Sequence, residues 1–182
     1  MFIQTEPTPN PASLKFLPGR DVLGDGTAQF GTEADAARSP LASRLFRIDG
    51  VAAVFLGSDF ISVSKADAAD WQVLKPMVLG AIMDHYTAGE PIMLAGGADN
   101  DEAATDSPVT RQIRELLDTR VRPAVAQDGG DIIFHDFRNG VVYLHMRGAC
   151  HGCPSSTATL KHGIENLLRY YVPEVEAVEA VM

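Results

Sequence analysis

Cysteine is scarce in this chain: Cys150 and Cys153 are the only two in 182 residues. Two cysteines so close together exclude the multi-bridge framework of a small secreted domain. They also fill only half of the four positions that a structural zinc or an ordinary iron–sulfur cluster requires. Positive charge is short as well. Fifteen Lys and Arg face 24 Asp and Glu, giving a formal net charge of −9. With no basic run to offset it, this balance argues against nucleic acid as a partner. No stretch reaches the roughly 18 consecutive apolar residues that a membrane-spanning helix needs. The first residues, Met1-Phe2-Ile3-Gln4-Thr5-Glu6, carry neither the basic and apolar regions of a signal peptide nor the Arg- and Ser-rich character of a transit peptide. The expected location is therefore cytoplasmic, as in a bacterium, or the mitochondrial matrix only if a presequence has been removed. No internal repeat is visible.

Hydrophobic residues make up 46% of the chain and charged residues 21%, which supplies folded cores and excludes global disorder. One stretch breaks this mixture. Residues 95–108 carry four acids, no base and no large apolar side chain, so they cannot bury enough surface to offset the entropy of ordering. A coil of that length spans about 20 Å. The net charge divides as −4 over residues 1–96, −4 over 97–108 and −1 over 109–182. The expected organisation is a first domain at 1–94, an acidic flexible linker at 95–106 and a second domain at 107–182.

The first domain reads as small α/β. Ser13–Leu17 is a strand candidate after a proline-rich approach, Pro7, Pro9 and Pro11, which forbids helix. Ser39 and Pro40 are the N-cap and first position of a short helix over 39–47. Val51–Leu56 and Phe60–Ser64 form a hairpin through Gly57-Ser58-Asp59. Asp70 caps a longer helix over 71–87 that ends at Gly89, with Trp71, Leu74, Val78, Ile82 and Tyr86 inward. Trp71, Met77 and Met83 are read as core residues. Nothing in this half has a recognisable catalytic pattern.

The second domain reads in the order α-β-β-α-β, so the fold class is α/β in the α+β sense, two small domains with helices packed on sheet. Ser107-Pro108 starts a helix whose apolar face is Ile113, Leu116, Leu117 and Val121, and Pro123 should kink or end it. Asp128-Gly129-Gly130-Asp131 is a tight exit into a strand, and turn chemistry accounts for its carboxylates. Strands over 131–138 and 141–147 are joined by Asn139-Gly140, a type I′ signal. Unbroken pairing from that turn places Phe137 opposite Val142, His135 opposite Leu144 and Ile133 opposite Met146, all on the buried face. His135 is then a hydrogen-bonded core histidine. On the other face Asp136 meets Tyr143, Phe134 meets His145 and Ile132 meets Arg147. A helix over 154–171 points Leu160, Ile164, Leu167, Leu168 and Tyr171 inward and pairs Lys161 with Glu165. Pro173 stops it, and a last short strand covers 175–182.

The cysteines fall in Gly148-Ala149-Cys150-His151-Gly152-Cys153-Pro154-Ser155-Ser156, between the second strand and the second helix. With Pro154 at the first helical position, Cys153 is the N-cap, beside free N–H groups and the positive end of the helix dipole. That environment favours the thiolate, the form that binds metal or attacks a disulfide. His151 is read as a spacer between the cysteines. Three chemistries fit: a thiolate-held cluster completed by a second copy, a thiol–disulfide oxidoreductase, and a zinc-bridged dimer. A pure adaptor, with the first domain as the active part, is a further reading. The oxidoreductase is disfavoured by the hairpin order before the motif and the lack of a βαβ unit.

Residues 107–175 resemble the Nfu domain, the C-terminal module of NifU-like proteins, on Asp128-Gly129-Gly130-Asp131 and the Gly148–Ser156 segment. Residues 2–87 resemble the N-terminal domain that accompanies it, on Thr5-Glu6-Pro7-Thr8-Pro9-Asn10-Pro11-Ala12-Ser13-Leu14-Lys15-Phe16. The resemblance implies a scaffold or carrier, not an enzyme, that holds a [4Fe–4S] cluster between two chains, with [2Fe–2S] as the other cluster type. The family's ligands fall on Cys150 and Cys153, both metal- and cluster-binding. The implied partners are apo iron–sulfur proteins, an upstream cluster donor and a second copy in a homodimer.

Overall fold

The computed structural model describes residues 2–24, 26–94, 107–149 and 154–181. The chain divides into two compact units, Met1–Asn100 and Asp101–Met182, each combining helices with a sheet in an α+β fold. The acidic stretch expected as a linker at 95–106 lies outside the described residues.

The first unit contains β1 (Gln4–Pro7), β2 (Ser13–Leu17), β3 (Ala28–Phe30), α1 (Glu33–Ala36), α2 (Pro40–Phe46), β4 (Val51–Leu56), β5 (Ile61–Lys65) and α3 (Trp71–Ala88). Its strands form one antiparallel sheet in the order β1-β2-β5-β4-β3. The helix ends are where the capping residues put them. Ser39 Oγ accepts from the Ala42 N–H at 3.1 Å. Asp70 Oδ1 accepts from the Gln72 N–H at 2.9 Å, and Gly89 closes α3 at φ 69°, in the left-handed region that glycine adopts without steric cost. Leu74, Val78 and Ile82 of α3 pack with Phe16, Phe30, Leu41, Leu45, Leu56 and Ile61 in one core.

Three elements were not foreseen: β1, β3 and α1 are only three or four residues long, too short for a period to declare itself. Met77 and Met83 are corrected from core to surface, at 47% and 42% exposure. The buried stripe is Leu74, Val78 and Ile82, and it continues to His85 rather than turning toward either methionine. Trp71 is partly buried against the core, and its Nε1–H donates to the Pro11 carbonyl at 3.2 Å.

His85 is the unexpected member of that stripe, with 0% exposure. Burial lowers its pKa below the ordinary value of 6.5, partly offset by Glu90, while Arg44 lowers it further. A base with a depressed folded pKa binds its proton more readily when unfolded. Its contribution to stability is therefore whole above pH 6.5 and declines as the pH falls through 6.5 toward the folded value. The denaturation midpoint of the first unit, read from Trp71 fluorescence, should thus drop between pH 7 and pH 5. His85→Leu should flatten that dependence, and an equally steep profile in the variant would assign the effect elsewhere.

The second unit contains α4 (Pro108–Leu116), a π turn (Leu117–Val121), α5 (Arg122–Gln127), β6 (Gly130–Arg138), β7 (Val141–Gly148), α6 (Pro154–Tyr171) and β8 (Ala177–Val181). Pro123 does not end the first helical segment. The Arg122 N–H reaches back five residues to Leu117, and this wider turn admits a ring that an α-helical turn would exclude. Asn139 and Gly140 have φ of 52° and 78°, the type I′ pattern. The three-stranded sheet has the order β6-β7-β8, with β7 antiparallel to β6 and parallel to β8.

The hairpin register is corrected beyond its first pairs. Phe137 faces Val142 and Asp136 faces Tyr143 as expected, but the register shifts between Phe134 and Asp136. His135 is the extra residue of a bulge. From there Phe134 faces Leu144, Ile133 faces His145, Ile132 faces Met146 and Asp131 faces Arg147. One inserted residue moves every later side chain to the other face. The buried face is therefore Ile132, Val142, Leu144, Met146 and Val178, against Ile113, Leu117, Val125, Ile164 and Leu168. His135 is exposed, not a core residue.

Two details of α6 also differ. Tyr171 is 39% exposed, and Val172, four residues after Leu168, takes the buried position. Arg120 lies over the Tyr171 ring at 5.1 Å. Lys161 pairs with Glu179 at 2.9 Å rather than with Glu165, while Glu165 accepts from the Val178 N–H at 3.2 Å. Both contacts tie α6 to β8, so β7, α6 and β8 form a βαβ unit where none was expected.

Candidate functional site

The cysteine segment is flanked in the sequence by β7 and α6. β7 ends at Gly148, with φ 65°, and α6 opens at Pro154, the proline start anticipated from the sequence. Cys150, His151, Gly152 and Cys153 lie between these anchors, outside the described residues, as does the expected N-cap role of Cys153. What the structure describes is the frame around them.

That frame joins the two sequence motifs. Gly130 pairs with Gly148 at the end of the hairpin. One residue on, Ala149 is buried, and its N–H donates to the Gly129 carbonyl at 3.2 Å. Gly129 has φ 79°, a conformation that strains other residues. The Asp128–Asp131 turn is therefore the floor on which the residue before Cys150 is fastened.

Asp131 is not a turn residue in the sense expected. It is 4% exposed and takes a two-pronged contact from Arg122. Nε donates to Oδ1 at 2.9 Å and Nη2 donates to Oδ2 at 2.8 Å. The Ile132 N–H donates to the same Oδ1 at 2.8 Å. Arg122 also reaches Asp118 at 3.2 Å. Hydrogen bonding to Asp131 raises the guanidinium pKa above its already high value, against the opposing effect of burial. A carboxylate so occupied is poorly placed for proton transfer, and the pair locks the turn instead. Sequence reading missed Arg122. The available signal was a single arginine on a proline-bearing helix nine residues before an aspartate, which spacing alone does not connect. A cavity of about 190 Å³ lies beside this pair, lined by Arg114, Leu117, Asp118, Arg122 and residues Ile132 to Phe134.

Removing Arg122 leaves the buried charge of Asp131 without its ion-pair partner. Arg122→Met should therefore destabilise the second unit by about 3 kcal/mol, while Arg122→Met with Asp131→Leu should recover much of the loss. Urea unfolding followed by far-UV circular dichroism measures both. A single-variant loss below about 1 kcal/mol would be no more than an exposed pair contributes, and would rule out this role.

Residues 3–89 match the family described as the scaffold protein Nfu/NifU N-terminal domain, and residues 113–179 match the NifU-like domain. Among relatives, the chain is 54% identical over 184 residues to "NFU1 iron-sulfur cluster scaffold homolog, mitochondrial" of Drosophila willistoni, covering 100% of this chain and 64% of that protein. The protein of the same name in Drosophila persimilis is 53% identical, with 100% and 65% covered. The chain thus spans slightly less than two thirds of these relatives. A solved NifU-like protein from Saccharomyces cerevisiae aligns with 26% identity and a TM-score of 0.47, covering 51% of this chain and 84% of that one. The mitochondrial names of the relatives overturn the cytoplasmic expectation. Both domain types of one family match in the expected order and leave few residues outside them, so the chain belongs to the Nfu family of NifU-like proteins.

Proposed function

We propose that this chain is an iron–sulfur cluster scaffold and carrier that holds its cargo on Cys150 and Cys153. The observation that carries the reading is the match to both domains of a scaffold family, with the only two cysteines of the chain falling inside the NifU-like one. Two thiolates per chain make half a ligand set. A [4Fe–4S] cargo therefore takes four thiolates from two chains in a homodimer. Handover to an apo-protein proceeds by ligand exchange, with incoming thiolates replacing the four cysteines one at a time. No covalent catalysis is required, so the chain acts as a carrier rather than an enzyme. Its partners are an upstream cluster donor and apo iron–sulfur proteins, and its location is mitochondrial, in keeping with the names of its relatives. In this reading residues 1–94 dock partners, 95–106 link, and 107–182 hold the cargo.

The oxidoreductase is the second reading, because β7, α6 and β8 form a parallel βαβ unit, which answers one of the two objections to it; the hairpin order before the motif stands. Metal analysis separates the two. After anaerobic reconstitution the full chain should carry about two irons and two sulfides, as one four-iron cluster per dimer demands. Cys150→Ser and Cys153→Ser should each abolish stable loading without changing the far-UV spectrum. Either variant retaining the full complement would remove the assignment, and a wild-type chain with redox activity but no iron would favour the oxidoreductase.

Assembly gives a separate check. Each copy carries a net charge of −9, which opposes casual association, so the cargo must supply the link. Native mass spectrometry under anaerobic conditions should show apo monomers and cluster-loaded dimers, with chelation of iron returning monomers. Loaded monomers would defeat the bridged arrangement.

A further inference from the structure

We infer a second metal site on the second unit, formed by His135 and His145, that takes a divalent transition ion with a preference for imidazole, such as Cu²⁺, Ni²⁺ or Zn²⁺. His135 is the inserted residue of the bulge in β6 and is exposed. His145 lies on β7 opposite Ile133, pointing away from the core face that carries Leu144 and Met146. The bulge brings the two rings together on that outer face. His135 Nδ1 and His145 Nε2 are 3.0 Å apart, and the rings meet edge to face with centroids 4.5 Å apart.

The separation suits shared coordination. Ring nitrogens bind such ions at about 2.0–2.1 Å. Two of them at a right angle about the ion are then about 2.9 Å apart, and at a tetrahedral angle about 3.3 Å. The observed spacing falls between these values, so the two nitrogens need not move apart to share one ion; each ring turns its lone pair from its neighbour toward the ion. His145 is further held by a hydrogen bond to the backbone of Val181 on β8, the kind of outer contact that orients a ligating imidazole. Desolvation and the neighbouring His135 and Arg147 charges lower the His145 pKa, which keeps the ring in the neutral form that binds metal. The nearby carboxylates are otherwise engaged: Asp136 with Arg138 and Glu179 with Lys161. The protein thus offers two nitrogens, and water completes the shell.

This site does not depend on the cluster reading, and its test removes the thiols. In the full-length Cys150→Ser/Cys153→Ser chain, Cu²⁺ should bind at one ion per chain with electron paramagnetic resonance splitting from two imidazole nitrogens. His135→Asn and His145→Asn should each weaken binding at least tenfold and reduce the nitrogen splitting. A measurement without histidine variants guards against misfolding: addition of Zn²⁺ should shift the ring ¹⁵N resonances of His135 and His145 together. Unchanged affinity in both variants, or ring shifts confined to His85, His151 or His162, would overturn the site. Either result leaves the assignment of Cys150 and Cys153 untouched.

Discussion

The contact between Arg122 and Asp131 governs the geometry of the second unit. It joins the helical segment that precedes the sheet to the second residue of β6, through two parallel hydrogen bonds of 2.8 and 2.9 Å. Such a fork fixes direction as well as distance. With Asp131 held, Gly130 meets Gly148, and the Gly129 carbonyl meets the Ala149 N–H. The residue before Cys150 is therefore located by an arginine that is 27 positions earlier in the chain. The π turn belongs to the same device. It carries the helical path through Pro123 and delivers Arg122 to Asp131 where an ordinary proline stop would have released the chain. Burial makes the arrangement strict on the Asp131 side, because that carboxylate cannot lose Arg122 without a desolvation penalty.

Much of the fold was legible where one residue type has one dominant physical meaning. Ser39 with Pro40, Asp70, Ser107 with Pro108, Gly89 and Asn139-Gly140 all sit where capping and turn chemistry put them. What was lost depends on contacts remote in sequence. The hairpin alternation was read from the turn without interruption, and it fails at His135, because a bulge leaves no mark in a pattern of alternating residues. Phe134-His135-Asp136-Phe137 fits either phase, and the core decides by claiming Ile132 rather than Ile133 as the partner layer of Met146. Met77 and Met83 fail for a similar reason, since an apolar residue on a helix already supplied with a buried stripe has no remaining core to enter. Of the candidate site, the sequence disclosed the two cysteines and both flanking motifs. It did not disclose Arg122.

The βαβ arrangement of β7, α6 and β8 shows why architecture alone does not decide the chemistry. Parallel strands joined by a helix place the start of that helix at the end of the first strand, wherever the unit occurs. A CxxC pair at that junction is exposed to the same dipole and the same free N–H groups whether it exchanges disulfides or holds a cluster. The proposed cluster chemistry therefore rests on what accompanies the cysteines and not on the βαβ unit alone. Here the companions are a second domain of the same family in the first unit and a glycine turn fastened beneath Ala149. For the proposed [4Fe–4S] cargo, the count of ligands sets the stoichiometry, because two thiolates cannot saturate four irons.

The bulge gives the two faces of one small sheet different contents. On the core side, the shifted register lets Ile132 and Phe134 meet Met146 and Leu144, so helices and strands close over an apolar layer. On the outer side, the same shift brings His135 to His145. A hairpin with regular pairing would have placed His135 against Leu144, where a polar ring would need a buried partner that the surrounding Ile, Leu and Val residues cannot offer. Inserting one residue resolves that conflict by expelling the ring, and bulges commonly re-aim a side chain in this way. The expelled imidazole then finds a second imidazole. The two proposed ligand sets, thiolates of Cys150 and Cys153 and imidazoles of His135 and His145, select ions by different chemistry, so occupation of one does not require the other. The local defect in the ladder is thus what permits both a closed core and a convergent pair of histidines on one three-stranded sheet.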